Sequence, residues 1–147
     1  MSVLSVFFRL LMAVVLAGIL GFERQKKGSP AGLRTHVLVS LGSALFVLAA
    51  LHVYLLFKLE SFADPGRIAA NIVTGIGFLG AGTIMRNPEN VKGLTTAASI
   101  WLASAIGLSA GFGFWSGAIM ATVFGLLTLR LLRMFEVRFI GDDHRND

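Results

Sequence analysis

The stretch GIGFLGAGTIM, residues 75–85, places glycines at the spacing G-x-G-x-x-G, which in other settings cradles a dinucleotide phosphate. That chemistry needs a strand before the glycines, a helix after them and an acidic residue about 20 positions further on. Here IAANIVT precedes the glycines and GTIM follows, so the whole stretch reads as one apolar helix. The phosphate match is accidental. Glycine in such a helix serves close packing instead. Ala70, Thr74, Gly77 and Ala81 fall on one continuous face, flanked by Asn71, Gly75 and Gly82, with Gly80 a further small residue of the same run. Small residues let helix backbones approach closely in lipid, so this helix is expected to be the most buried of the chain. The alternative is that some glycines break the helix and expose carbonyl oxygens to an ion, as in discontinuous transporter helices.

Other residue types offer little chemistry. The chain has no cysteine, which removes thiolate ligands and cysteine nucleophiles. Its 3 histidines, at 36, 52 and 144, have no metal-ligand spacing. Mg²⁺ binding takes one or two carboxylates, but Glu23, Glu60, Asp64 and Glu89 all lie outside the apolar runs. No nucleophile–base pair and no metal cluster emerges, so neither an enzyme nor a bound cofactor is expected. Asp64 before Pro65 suits a helix start, with Asp capping and Pro at the first helical position. Asn71 is different: its amide lies inside an apolar helix and must find a partner there, which makes it a site candidate.

The elements that carry these residues are membrane spans. The 147 residues are 55% hydrophobic and only 14% charged, against about 25% charged for an ordinary soluble domain. Residues 10–22, 35–57, 68–85 and 93–129 carry no charge at all, and a spanning helix needs about 20 mostly apolar residues. The last run holds two spans, with a break at GLSAGFGF, residues 107–114. The expected fold is an all-α integral membrane protein with a five-span domain over 1–133. Its spans are 3–22, 35–57, 67–86, 94–110 and 112–133, followed by a short tail, 134–147. The first run lacks a small-x-small cleavage site and is read as a retained span. Trp115 suits an aromatic belt, whereas Trp101 is expected to pack inside.

Basic residues set the orientation. Arg24, Lys26, Lys27, Arg34, Arg86, Lys92, Arg130, Arg133, Arg138 and Arg145 share one side, ten of the 13 basic residues, against Lys58 and Arg67 on the other. Arg9 lies inside the first span and could snorkel outward. The N-terminus is therefore expected outside and the C-terminus in the cytoplasm. Nucleic-acid binding would need a basic face interleaved with aromatic residues, and none is present.

The chain also resembles itself. GILG (18–21) precedes GLRT (32–35) as GFLG (77–80) precedes GLTT (93–96), and LGSAL (41–45) matches LASAI (102–106). These similarities suggest a parallel duplication of a two-helix hairpin plus one extra helix. It would set the starts of the second and fourth spans side by side, capped by Thr35 and by Thr95 or Thr96. Two helix N-termini beside Arg34, Arg86 and Lys92 would gather positive potential, where an anion, a lipid headgroup or an acidic segment could dock.

Three segments carry a further likeness: GFERQKKGSPAGLRTHVLVSLGSALF, DPGRIAANIVTGIGFLGAGTIMR and NVKGLTTAASIWLASAIGLSAG. Together they resemble the MgtC/SapB family of bacterial inner-membrane proteins over roughly residues 14–111. The resemblance implies about five spans and roles in growth at low Mg²⁺ and in virulence. It further implies action through other membrane proteins, the F-type ATP synthase among them, rather than carriage of Mg²⁺. The motif positions carried over are Glu23, Arg24, Arg34, Thr35, Asp64, Arg67, Asn90, Gly93, Leu94 and Thr96. Asn71 stands where the family pattern has Gln. A soluble C-terminal domain common in the family is not evident in residues 134–147, although EVRFI (136–140) alternates as a strand would. The expected partners are membrane lipids, other membrane proteins and a second copy of the chain, the last through the small-residue faces.

Overall fold

A computed structural model of the chain describes residues 1–57, 64–88, 90–132 and 134–135. Five α-helices make up almost all of it: α1 (Val3–Lys26), α2 (Leu33–Phe57), α3 (Pro65–Ala81), α4 (Leu94–Phe112) and α5 (Trp115–Leu127). A two-stranded antiparallel hairpin, β1 (Met85–Arg86) with β2 (Val91–Lys92), joins α3 to α4. The sequence expectations for Lys58, Glu60, Glu89, Arg133 and residues 136–147 lie outside the described residues.

Helix ends follow local chemistry. The apolar run of α1 gives way at Glu23, but the helix continues through four polar residues to Lys26. Asp64 caps α3, its carboxylate accepting from the Gly66 amide at 2.8 Å, with Pro65 in the first turn. Between α4 and α5, Gly113 adopts φ 80° at the end of α4. That is the left-handed conformation a helix C-terminus favours glycine for, and it is the break the glycine-rich segment predicts. Beyond Leu127 the helix loosens into a π-turn, Thr128–Leu132.

The third span departs from expectation. Read as 67–86, it ends instead at Ala81, because the Gly82–Ile84 segment turns and residues 85–86 pair with 91–92. Its 17 residues span about 26 Å at 1.5 Å per residue, near the lower limit for crossing a bilayer. The other long apolar helices run Val3–Lys26, Leu33–Leu56, Leu94–Phe112 and, with the π-turn, Trp115–Leu132, each long and apolar enough to cross a membrane.

Packing centres on α4. Leu16, Ala17 and Leu20 of α1 meet Ala103 and Ile106 of α4 and Ala118 of α5. A second cluster joins Ala13, Ala44 and Ala110, and a third joins Ala31, Ile76 and Ile100. The close contacts belong to α4 rather than α3. A Cβ on Gly107 would overlap the Ser40 carbonyl oxygen, and one on Gly111 would come within 2.9 Å of Ala44 O. These glycines let α2 and α4 touch backbone to backbone. The two helices run parallel, since His36 meets Ser99 near one end while Ala44 meets Gly111 further along.

The expectation that α3 is the most buried helix is therefore overturned. Ala70, Asn71, Thr74, Gly75, Gly77, Ala81 and Gly82 are all exposed. A Cβ at Gly75 or Gly77 would meet nothing within 4 Å. Among the described side chains of α3 only Ile76 and Gly80 are buried, and a Cβ on Gly80 would lie 3.7 Å from that of Ala97. The physical reason is plain: a small-residue face permits close approach but attaches to nothing without a partner backbone, and α2 and α4 present their own glycine contacts to each other. Trp101 likewise faces outward, half exposed, against the expectation that it packs inside.

Candidate functional site: a polar seam between the first, second and fourth helices

Polar side chains are costly in a membrane interior unless each hydrogen bond is made. This chain buries a line of them. Ser29, in the α1–α2 connection, meets Thr96 of α4 at 2.9 Å between hydroxyl oxygens. One turn along, His36 is fully buried, with Nδ1 2.8 Å from Gly32 O and Nε2 3.0 Å from Ser99 Oγ. Ser99 also donates to Thr96 O at 2.8 Å. Further on, Ser40 donates to Ala13 O at 3.0 Å, and Ser43 donates to Val39 O at 2.9 Å while lying 2.8 Å from Ser104 Oγ. With its own proton given to Val39, Ser43 accepts from Ser104.

The proton count at His36 is informative. A carbonyl oxygen only accepts, so Nδ1 carries a proton toward Gly32. In the neutral ring Nε2 is then an acceptor, and Ser99 must divide its single hydroxyl proton between Nε2 and Thr96 O. The Ser99 hydroxyl can thus direct its one hydrogen bond either to the imidazole or to the α4 backbone.

Glu23 and Arg24 lie near the C-terminal end of α1 beside this seam, each only 4% exposed. Arg24 is within electrostatic reach of His36. Among the described residues, neither oxygen of the Glu23 carboxylate has a hydrogen-bond partner. A buried carboxylate without hydrogen bonds is costly to hold in a fold, and such groups concentrate where function needs them.

The remaining expected site residues scatter. Arg34 is exposed in the first turn of α2, beside a 310 Å³ opening lined with Gln25, Gly32, Leu33 and Thr35. Arg86 and Lys92 stand on opposite strands of the β-hairpin, next to Asn90. Asp64 and Arg67 lie exposed at the other end of α3, and Asn71 is exposed beside a cleft between α2 and α3. The expected threonine caps are corrected: Gln25 Oε1 accepts from the Leu33 amide at 3.2 Å, and α4 starts at Gly93 without a side-chain cap. Thr95 is half-buried and Thr96 belongs to the seam. The starts of α2 and α4 are brought together, but by Ser29–Thr96 and His36–Ser99. Arg9 does not snorkel; its Nη1 donates to Gly111 O at 2.6 Å, on the last turn of α4.

Sequence reading missed His36, Ser40, Ser43, Ser99 and Ser104 as a set. The available signal was the recurrence of Ser and His at 36, 40 and 43 on one side of an apolar helix, facing Thr96, Ser99 and Ser104 on another; of these only Ser43 and Ser104 are equivalent positions of the repeat.

Five helices, four of them long and apolar enough to span, around a buried polar seam, define a multi-pass membrane protein. The chain belongs to the MgtC family, which it matches over residues 10–138. It is 42% identical over 138 residues to the protein named "Putative magnesium transporter YhiD" of Escherichia coli K12, covering 92% of this chain and 64% of that one. It is 47% identical over 124 residues to Protein MgtC of Salmonella typhimurium LT2, covering 84% of this chain and 51% of that one. Protein MgtC of Brucella abortus is 46% identical over 121 residues, with 82% and 48% covered. The chain thus spans about half to two-thirds of the length of these relatives. No solved structure matches it.

Proposed function

We propose that this protein is a non-enzymatic regulatory module of a bacterial inner membrane, acting on other membrane proteins during Mg²⁺ limitation, in membrane energetics and in virulence. By the family resemblance the F-type ATP synthase is one such partner. The N-terminus lies outside and the C-terminus inside, so Arg34, Arg86 and Lys92 face the cytoplasm and the anionic headgroups there. The observation that carries this reading is α3. It is unbroken from Pro65 to Ala81, and Asn71 is exposed at a laterally open cleft between α2 and α3 rather than inside a closed polar path. An ion path beside α3 would need broken backbone and inward polar groups.

A second reading, transport of a small cation such as Mg²⁺, is favoured by the name of the Escherichia coli relative and by the buried Glu23 carboxylate, which has no hydrogen-bond partner among the described residues. Mg²⁺ flux into proteoliposomes, with a proton-leak control, separates the two. The expected result is no flux above empty vesicles from folded, inserted protein. Flux that collapses in Glu23→Gln, Asn71→Ala or Asp64→Asn would replace the regulatory reading with transport.

A further inference from the structure

We infer that the outward side of α3 is the contact surface for a second copy of this chain, with Asn71 of each copy hydrogen-bonding its equivalent at one depth in the bilayer. This inference is independent of the regulatory reading. Asn71 lies two residues from the centre of α3 (Pro65–Ala81), about 3 Å along the axis. Since α3 is no longer than the hydrocarbon core is thick, about 30 Å, its midpoint lies close to the bilayer centre. There the Asn71 side chain is exposed and has no hydrogen-bond partner among the described residues. Neighbouring Thr74 satisfies itself by donating to Ala70 O at 2.9 Å. Asn71 cannot, and a lipid tail offers it nothing.

The surroundings define the occupant. A 690 Å³ cleft open to the side runs between α2 and α3, lined among others by Leu38, Gly42, Phe46, Asn71, Gly75 and Leu79. Phe78 projects from the same side, 83% exposed. Gly42, Gly75 and Gly77 have open space where a Cβ would be. One surface therefore carries both a projecting ring and hollows of bare backbone. An amide is donor and acceptor at once, so it pairs with its own kind. A copy related by an axis along the membrane normal brings its Asn71 to the same depth by symmetry, which an unrelated helix would do only by coincidence. Closed two-fold pairs use one surface twice in this way.

The absence of native cysteine makes single-cysteine crosslinking in native membranes a clean test. Thr74→Cys and Phe78→Cys are each expected to give a dimer-sized band on mild oxidation. Val15→Cys, exposed on α1, is expected to give none. Adding Asn71→Leu to Thr74→Cys should reduce the band about fivefold to tenfold, the scale of one interhelical hydrogen bond. Adding Asn71→Gln, which keeps the amide, should retain it. The inference is overturned if maleimide-reactive Thr74→Cys and Phe78→Cys proteins stay monomeric, or if Val15→Cys crosslinks equally. Indifference of the band to Asn71→Leu, or equal loss with Asn71→Gln, overturns it as well.

Discussion

Gly107 and Gly77 are the same residue in two physical situations. Gly107 is fully buried against the Ser40 backbone, so a methyl group there must push α2 and α4 apart. Overpacking of this kind costs about 1–3 kcal/mol, and Gly107→Ala should lower the thermal midpoint of the monomer in detergent. Gly77 meets nothing, and Gly77→Ala should leave that midpoint unchanged or raise it, since alanine favours helix by up to about 1 kcal/mol. Equal effects of the two substitutions would contradict the packing described. From sequence alone the order looked reversed, because 75–82 is the denser glycine run. Composition reports that close approach is possible; which helix supplies the opposing backbone is a long-range fact. The same limit hid His36, whose partner Ser99 lies 63 positions away, while Asp64 was legible as a cap because Gly66 is two residues on.

At the scale of the helix, ends matter most in lipid, where unsatisfied carbonyls have no water to turn to. The last turn of α4 is served by Arg9, which crosses from the first turns of α1 to Gly111 O and lies 3.0 Å from the Cβ position of Gly113. A cation at a helix C-terminus also meets the favourable end of its dipole. Arg9→Gln keeps a hydrogen-bonding amide but loses charge and reach, and is expected to cost about 1 kcal/mol. Hydrogen exchange should rise at the last turn of α4 and little elsewhere; exchange spread evenly over the bundle would remove the capping role. Spans and breaks were legible in the charge-free runs and in the glycines at 111 and 113. The premature end of α3 was not, because residues 82–85 carry no charge. Their departure from helix comes from pairing with Val91–Lys92 across a turn.

At the scale of the molecule, the pairing of α1 with α4 and the parallel course of α2 and α4 tie both hairpins into one bundle whose ends differ in charge. Lys26, Lys27, Arg34, Arg86 and Lys92 all belong to the end where α1 stops and α4 starts. Arg67 sits at the opposite end, near the first residue of α3. Basic residues are retained on the cytoplasmic side during insertion because moving them across is costly. The asymmetry, unlike the packing of α3, was fully legible, since loop charge needs no knowledge of which helices touch. It predicts a definite labelling pattern in intact cells. Ser2→Cys, exposed before α1, should react with a membrane-impermeant maleimide added outside. Lys27→Cys, exposed at the end of α1, should react only after the inner membrane is opened. The reverse pattern would invert the bundle, turn Arg34, Arg86 and Lys92 away from the anionic inner leaflet, and remove the physical basis for a cytoplasmic docking surface.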